Sequence, residues 1–361
     1  MLKLKNIEHD GQVHNPLGGA AYIFEEDVLK WLLKQSHKNK IRISIGAQPN
    51  SSPHLGTLTV FSLAFALGVI LKEKTSKQAE VFFEVIDTAP FDTKEINGIK
   101  YQMSLRSSGV ADKYMIQYKE LLTELSYLSA VPYEIRLQEA FNSQSSIPRI
   151  LDKIASNKDC IATILDPERE KLRIRVACQH CGLTDKHSIK TIVLEDGIES
   201  YCPEHGWFKT KYTESSKFEY NTPLRNLVRA LSYTEDNISN DIDFEWLRIT
   251  GSDYAGFYQE QLLYKPASLL GYKVSTLPII LYAPLITDWS GAKLSKSLYI
   301  KQDAYKYLPD YVVNYEHFKD KFGEKGMEAL FYEVKSWLEK PYKLFRNYSV
   351  YYFMDLFEHV Q

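Results

Sequence analysis

The spacing of apolar residues changes period several times along the chain, and each change marks an element. Residues 25–36 place apolar side chains at helical spacing, with acids in the first turn. Ile41-Arg-Ile-Ser-Ile45 then alternates apolar and polar residues as a strand does, and Gly46-Ala-Gln-Pro-Asn-Ser-Ser52 breaks into a loop. Ser52 is an N-cap residue type, Pro53 suits a first helical position, and the apolar run from Leu55 to Leu71 predicts a buried helix. Val81-Phe-Phe-Glu-Val-Ile86 follows as a second strand. Strand, loop, long helix and strand make a βαβ unit, so the fold class is α/β with a parallel sheet and right-handed crossover.

Farther on, the stretch from 88 to 150 is mixed, with a helix predicted around 111–130. Phe244-Glu-Trp-Leu-Arg-Ile249 reads as a strand that runs into Thr250-Gly-Ser-Asp253. A helix over 254–270 comes next, and Pro266 is expected to disturb it. Leu277-Pro-Ile-Ile-Leu-Tyr282 is another strand, followed by a loop from Asp288 to Ser297. A helix near 324–339 precedes an aromatic tail, Tyr348 to Phe353. That tail reads as packing surface rather than a base-stacking platform, since Tyr is abundant throughout the chain (25 residues). There is no internal repeat.

Composition narrows the class. A chain of 361 residues with 44% hydrophobic and 25% charged residues suits one large α/β core with insertions, or two to three domains. A net charge of −2 gives no global attraction to nucleic acid, so any such contact needs a local basic patch. The N-terminus lacks the apolar stretch of a signal peptide, and no membrane span is expected. Three of the four cysteines fall in metal-ligand spacing, which fits a reducing cytoplasm.

Three short motifs carry nucleotide chemistry. In Pro53-His54-Leu55-Gly56-Thr57, helix-start amides and macrodipole favour phosphate, His54 can donate to phosphate oxygens, and Gly56 admits a flat ring. In Lys293-Leu294-Ser295-Lys296-Ser297, two ammonium groups on one loop can neutralise departing pyrophosphate; the same composition also describes a solvated basic turn. Gly251-Ser252-Asp253 follows a strand, where a carboxylate can hold a ribose hydroxyl; Asp253 could equally cap the next helix. A separate set, Cys178-Gln-His-Cys181 and Cys202-Pro-Glu-His205, reads as the two knuckles of a zinc ribbon holding a closed structural Zn²⁺. His180 or His187 could replace His205 as fourth ligand. Gly182 and Gly206 follow the knuckles where the chain must turn tightly, and Cys160 is left over as a core thiol.

In this order the three motifs resemble the catalytic domain of class I aminoacyl-tRNA synthetases. His54-Leu-Gly-Thr57 is similar to the "HIGH" motif, with Thr57 for the second histidine; Lys293-Leu-Ser-Lys-Ser297 is similar to "KMSKS", with Leu for Met; Gly251-Ser-Asp253 is similar to the Gly-x-Asp segment. The resemblance rests on residues 40–90 and 244–300. It implies a Rossmann-like (HUP-type) parallel sheet with an inserted zinc ribbon and a short helical C-terminal region. It also implies activation of an amino acid by ATP with Mg²⁺. His54, Lys293 and Lys296 would be catalytic. Gly46, Pro53, Gly56, Thr57, Gly251, Asp253, Ser295 and Ser297 would bind nucleotide.

The zinc ribbon and the His-x-Gly-Thr variant look most like class I lysyl-tRNA synthetases, with cysteinyl-like and glutamyl-like ligases still open. A lysine pocket would need a carboxylate, and Glu84, Asp87 and Glu260 are available. The expected organisation is a catalytic half over 1–100, a connective region over 101–243 with the ribbon at 172–210, a second catalytic half over 244–300, and a helical region over 301–361. The 64 residues after Ser297 are too few for the anticodon-binding region of lysyl enzymes, so the expected acceptor is tRNA or a small molecule. The other reading is a non-catalytic paralogue that binds an amino acid, nucleotide or RNA.

Overall fold

The computed structural model describes residues 29, 32, 33, 36–109, 111–294 and 305–360. Most of the helix predicted over 25–36, and all of Ser295, Lys296 and Ser297, lie outside the described residues. Strand β1 (Lys40–Ala47) leads into helix α1 (Leu55–Lys74), which returns to β2 (Gln78–Val85). A hairpin of β3 (Pro90–Ile96) and β4 (Ile99–Ser104) precedes α2 (Ala111–Ser129) and β5 (Tyr133–Leu137). Helix α3 (Ile147–Ser156) comes next. Six short strands follow it: β6 (Ile174–Val176), β7 (Leu183–Asp185), β8 (Ile192–Val193), β9 (Gly197–Cys202), β10 (Gly206–Lys211) and β11 (Phe218–Tyr220). Helix α4 (Thr222–Ile238), β12 (Phe244–Gly251) and β13 (Ile279–Ala283) complete the central layer. The chain closes through β14 (Ile286–Thr287), α5 (Tyr315–Glu339), β15 (Tyr348–Ser349) and α6 (Val350–Glu358).

Among the described residues, five strands form one sheet in the order β13-β12-β1-β2-β5, and every pair is parallel. From β1 the chain winds one way to β2 and β5, and β12 and β13 lie on the other side. The boundary between β1 and β12 is therefore the switch point at which ligands bind in open α/β sheets. The α/β Rossmann-like architecture expected from the motifs is what the chain adopts. The outermost strand, β5, comes from within the stretch read as connective.

Helix α1 is apolar on every side because every side is covered. Its 20 residues are long and apolar enough to cross a membrane by length and composition, but 72% of its apolar 18-residue window is buried in the protein. One side meets Ile41, Ile43 and Ile45 of β1, and the others meet α2 and α5 in a continuous core. A second core on the opposite face of the sheet joins Phe82, Trp246 and Tyr282 to α3 and α4.

Several local expectations meet a different outcome. Helix α1 starts at Leu55 with His54 as its cap; Ser52 instead accepts from the Tyr315 amide (2.8 Å), tying the start of α5 to this loop. The segment after Gly251 is helical over Phe257–Gln259 and Lys265–Leu269, with a wide π turn at Glu260–Tyr264 between them. Pro266 has no N–H to give the preceding turn, so the helix widens just before it. Helix α5 begins at Tyr315, earlier than the predicted 324, and breaks at Gly323 (φ 56°, ψ −147°). The aromatic tail is packing surface: Tyr348 stacks on Trp337 (4.7 Å between centroids), and Phe353 and Phe357 are buried.

Candidate active site and metal centre

A cleft of about 180 Å³ opens at the carboxyl ends of β1, β12 and β13. Gly46, His54, Gly56, Thr57, Gly251, Asp253 and Lys293 all line it, so six residues from three distant motifs share one cavity with Gly46 of the β1 end. Pro53 is buried just before the helix cap and is not among the lining residues.

His54 stands at the helix start for a local reason. Its Nδ1 accepts from the Gly56 amide (3.0 Å), the bond an N-cap side chain makes. That amide is thus taken by the imidazole, where the sequence suggested one free for phosphate. A neutral ring accepting at Nδ1 carries its proton on Nε2, which sets His54 as a donor through that nitrogen. Gly56 makes the cap possible, since a Cβ there would lie 2.9 Å from His54 Cε1.

Gly251 plays the same part for Asp253, because its Cβ would fall 2.5 Å from Asp253 Oδ1. Asp253 sits in a short 3₁₀ turn, Ser252–Tyr254, and its carboxylate accepts from Lys293 Nζ at 2.5 Å. Lys293 is aimed by a tight turn. Asp288 Oδ1 accepts from the Ser290 and Ala292 amides, Gly291 takes φ +80°, and Lys293 bridges back to Thr287. Both partners are partly exposed (side chains 47% and 32%), so the pair contributes at most about 1 kcal/mol and opens readily for a ligand.

Behind the cleft, on the sheet face opposite α1, lies a charged cluster around Glu84, one of the three carboxylates named from the sequence, whose arginines the sequence reading missed. Glu84 accepts from Nε (3.1 Å) and Nη2 of Arg136 and from Tyr233 Oη (2.5 Å). Burial works against the Glu84 charge, but Arg136 and Arg229 overcome it and hold the carboxyl below its usual range. Arg225, which is buried, and Arg248, which is half-buried, lie beside Arg229; desolvation first, and then the neighbouring guanidinium groups, push both below the usual arginine value. Arg248 donates to Asn226 Oδ1 (2.9 Å), and Asn226 donates to Tyr258 Oη (2.7 Å). The other two carboxylates considered lie elsewhere: Asp87 pairs with Arg106 (3.3 Å), and Glu260 is exposed. A readable signal existed, since Arg225 and Arg229 sit four apart on a helix whose neighbours Leu224, Leu227, Val228 and Leu231 are apolar.

The second constellation is also assembled. The ligand atoms of Cys178, Cys181, Cys202 and His205 lie within 4.8 Å of one another. Cys181 and Cys202 sulfurs are 3.5 Å apart, and His205 Nδ1 is 3.6 Å from Cys178 and 3.5 Å from Cys202. A tetrahedral zinc site has edges of about 3.8 Å between sulfurs and about 3.5 Å from sulfur to nitrogen, so the donor set and its size fit Zn²⁺. His180 stacks on the His205 ring, and His187 Nδ1 faces Arg173 (2.6 Å); neither belongs to this set. Gly182 and Gly206 turn the knuckles at φ +72° and +79°, as their positions suggested. Strand β7 pairs with β4, which anchors the ribbon to the β3–β4 hairpin. Cys160 is exposed rather than buried, because its helix turns Ile161, Ala162 and Leu165 inward instead.

No protein-family model matches this sequence, and no curated protein matches it. Among solved structures, it matches a glutamate tRNA ligase from Elizabethkingia meningosepticum at 11% identity, covering 84% of this chain and 64% of that one, with a TM-score of 0.40. It also matches the tyrosyl-tRNA synthetase of Archaeoglobus fulgidus (14%; 74% and 61%; TM-score 0.35) and the arginyl-tRNA synthetase of Thermus thermophilus (9%; 82% and 58%; TM-score 0.35). The chain spans less than two thirds of the length of each of these structures.

Proposed function

We propose that this protein activates an amino acid with ATP as an enzyme-bound aminoacyl-adenylate, in the manner of an aminoacyl-tRNA synthetase. The observation that carries this reading is the convergence of His54, Asp253 and Lys293 on one cleft at the switch point of the sheet. A substrate carboxylate oxygen bonds to the α-phosphorus of ATP while the bond from that phosphorus to the bridging oxygen breaks. Pyrophosphate leaves with the electron pair. His54, donating from Nε2, and Lys293, released from Asp253, stabilise the charge that builds up; Asp253 turns to the ribose. Lys296 is assigned to the same task, and Mg²⁺ accompanies the nucleotide. The adenylate then goes to an acceptor, for which we propose tRNA, tested by adding bulk tRNA and acid-precipitating labelled product.

Amino-acid-dependent exchange of labelled pyrophosphate into ATP tests the first half-reaction, and absence of exchange with all twenty amino acids sinks it. In that assay Lys296→Ala is expected to lower exchange at least ~100-fold; an undiminished rate removes the lysine from the mechanism. Gly251→Ala is expected to raise the KM for ATP roughly tenfold by crowding the Asp253 carboxylate out of place. The Gly251 backbone (φ −65°, ψ 148°) suits alanine, so an unchanged KM would count against the role of Asp253 rather than reflect misfolding.

A further inference from the structure

We infer that the arginine cluster behind the adenylation cleft selects an amino acid with a carboxylate side chain; this inference rests on the adenylation reading above. The chemistry comes from charge that the protein leaves uncompensated. Four arginines, Arg136, Arg225, Arg229 and Arg248, gather on one face of the sheet around Ser44, Glu84 and Tyr233. Among the described residues, Glu84 is the carboxylate in contact with them, and its bonds go to Arg136 and Tyr233. Asp236 lies farther along α4, where it accepts from the Trp246 indole (2.8 Å). Arg225 and Arg248 thus face further guanidinium groups and tyrosines.

Buried guanidinium is costly to leave without an anion, and donors here are idle. Arg225 Nε, and both Nε and Nη2 of Arg229, have no hydrogen-bond partner among the described residues, while Arg225 and Arg229 are 5% and 2% exposed. The Arg229 guanidinium that carries two of them reaches the wall of the cleft. A Cβ on Gly46, which lines it, would stand 3.7 Å from Arg229 Nη1. The Arg229 guanidinium thus stands directly behind the cleft wall at Gly46, at ordinary contact distance from where a side chain there would begin. Tyr254 also lines the cleft and packs edge-on against Tyr258 (4.7 Å), whose hydroxyl bonds the Asn226 that orients Arg248. A substrate whose reacting carboxylate meets ATP would extend its side chain past Gly46 onto this cluster. A lysine side chain would meet like charge there, since Glu84 is already engaged.

The test is calorimetric binding of L-glutamate, L-aspartate, L-glutamine, L-asparagine and L-lysine to the whole protein, with pyrophosphate exchange measured in parallel. One acidic amino acid is expected to bind roughly 10- to 100-fold more tightly than its amide. Arg229→Met is expected to abolish that preference, with Arg225→Met as a second variant and thermal melting as the check on folding. Equal or tighter binding of lysine or an amide, or no binding of either acid, overturns the inference. Exchange stimulated by lysine would overturn it while keeping the adenylation reading. Acid binding without exchange would support the pocket and defeat that reading.

Discussion

Cys202→Ser is expected to strip the ribbon of its metal and unfold it while the parallel sheet stays in place. The strands of this segment are two to six residues long, too short to hold a fold by themselves. A structural zinc supplies about 10–16 kcal/mol to such a module, and Cys202 is buried between Cys181 and His205 at 3.5 Å from each. Elemental analysis should fall from one zinc per chain to near none. Amide exchange across β9 and β10 should rise to that of unfolded chain, with β1 and β2 still protected. A variant that keeps those amides protected without metal would take zinc out of the account.

Glu84→Gln should cost about 3–5 kcal/mol, because it leaves the Arg136 and Arg229 charges buried without their carboxylate. The melting temperature at neutral pH should drop by roughly 10 °C. The pH dependence has a definite sign. A carboxyl held below its usual range when folded stabilises the protein at pH above its unfolded value, and that stability is lost as the pH falls through the folded value. Melts of both proteins from pH 7 to pH 3 should therefore converge at the acid end. A constant gap would show that the loss comes from packing rather than charge.

The parts that sequence reasoning reached are those in which residue type and spacing suffice. Alternating Ile41, Ile43 and Ile45, and the apolar run after Pro53, describe β1 and α1 because their burial is simple. The knuckles are legible because metal geometry fixes Cys-x-x-Cys and Cys-x-x-His spacing. The parts that escaped carry charge into the interior. Strand β5 hides because Glu134 and Arg136 occupy one of its faces, and Arg136 finds its partner Glu84 directly across the register on β2. Helix α4 hides because Arg225 and Arg229 resemble a solvated face until the fold buries them. The helix cap went to His54 instead of Ser52 because Ser52 was needed by the α5 amide, a partner some 260 residues away. Gly56 and Gly251 each leave room for a neighbouring side chain, that of His54 and that of Asp253, which residue type alone does not reveal.

Helix α1 has a consequence in time. Its far side is covered by α5, through Phe318, Met327, Leu330 and Val334, and α5 begins about 240 residues after α1 ends. At about 5–20 residues per second, a ribosome needs roughly 10–50 s to deliver that cover. Through that interval a stretch with the length and greasiness of a membrane span waits half-dressed at the tunnel exit. Factors that sort or shield nascent apolar helices therefore meet α1 before its own partner does.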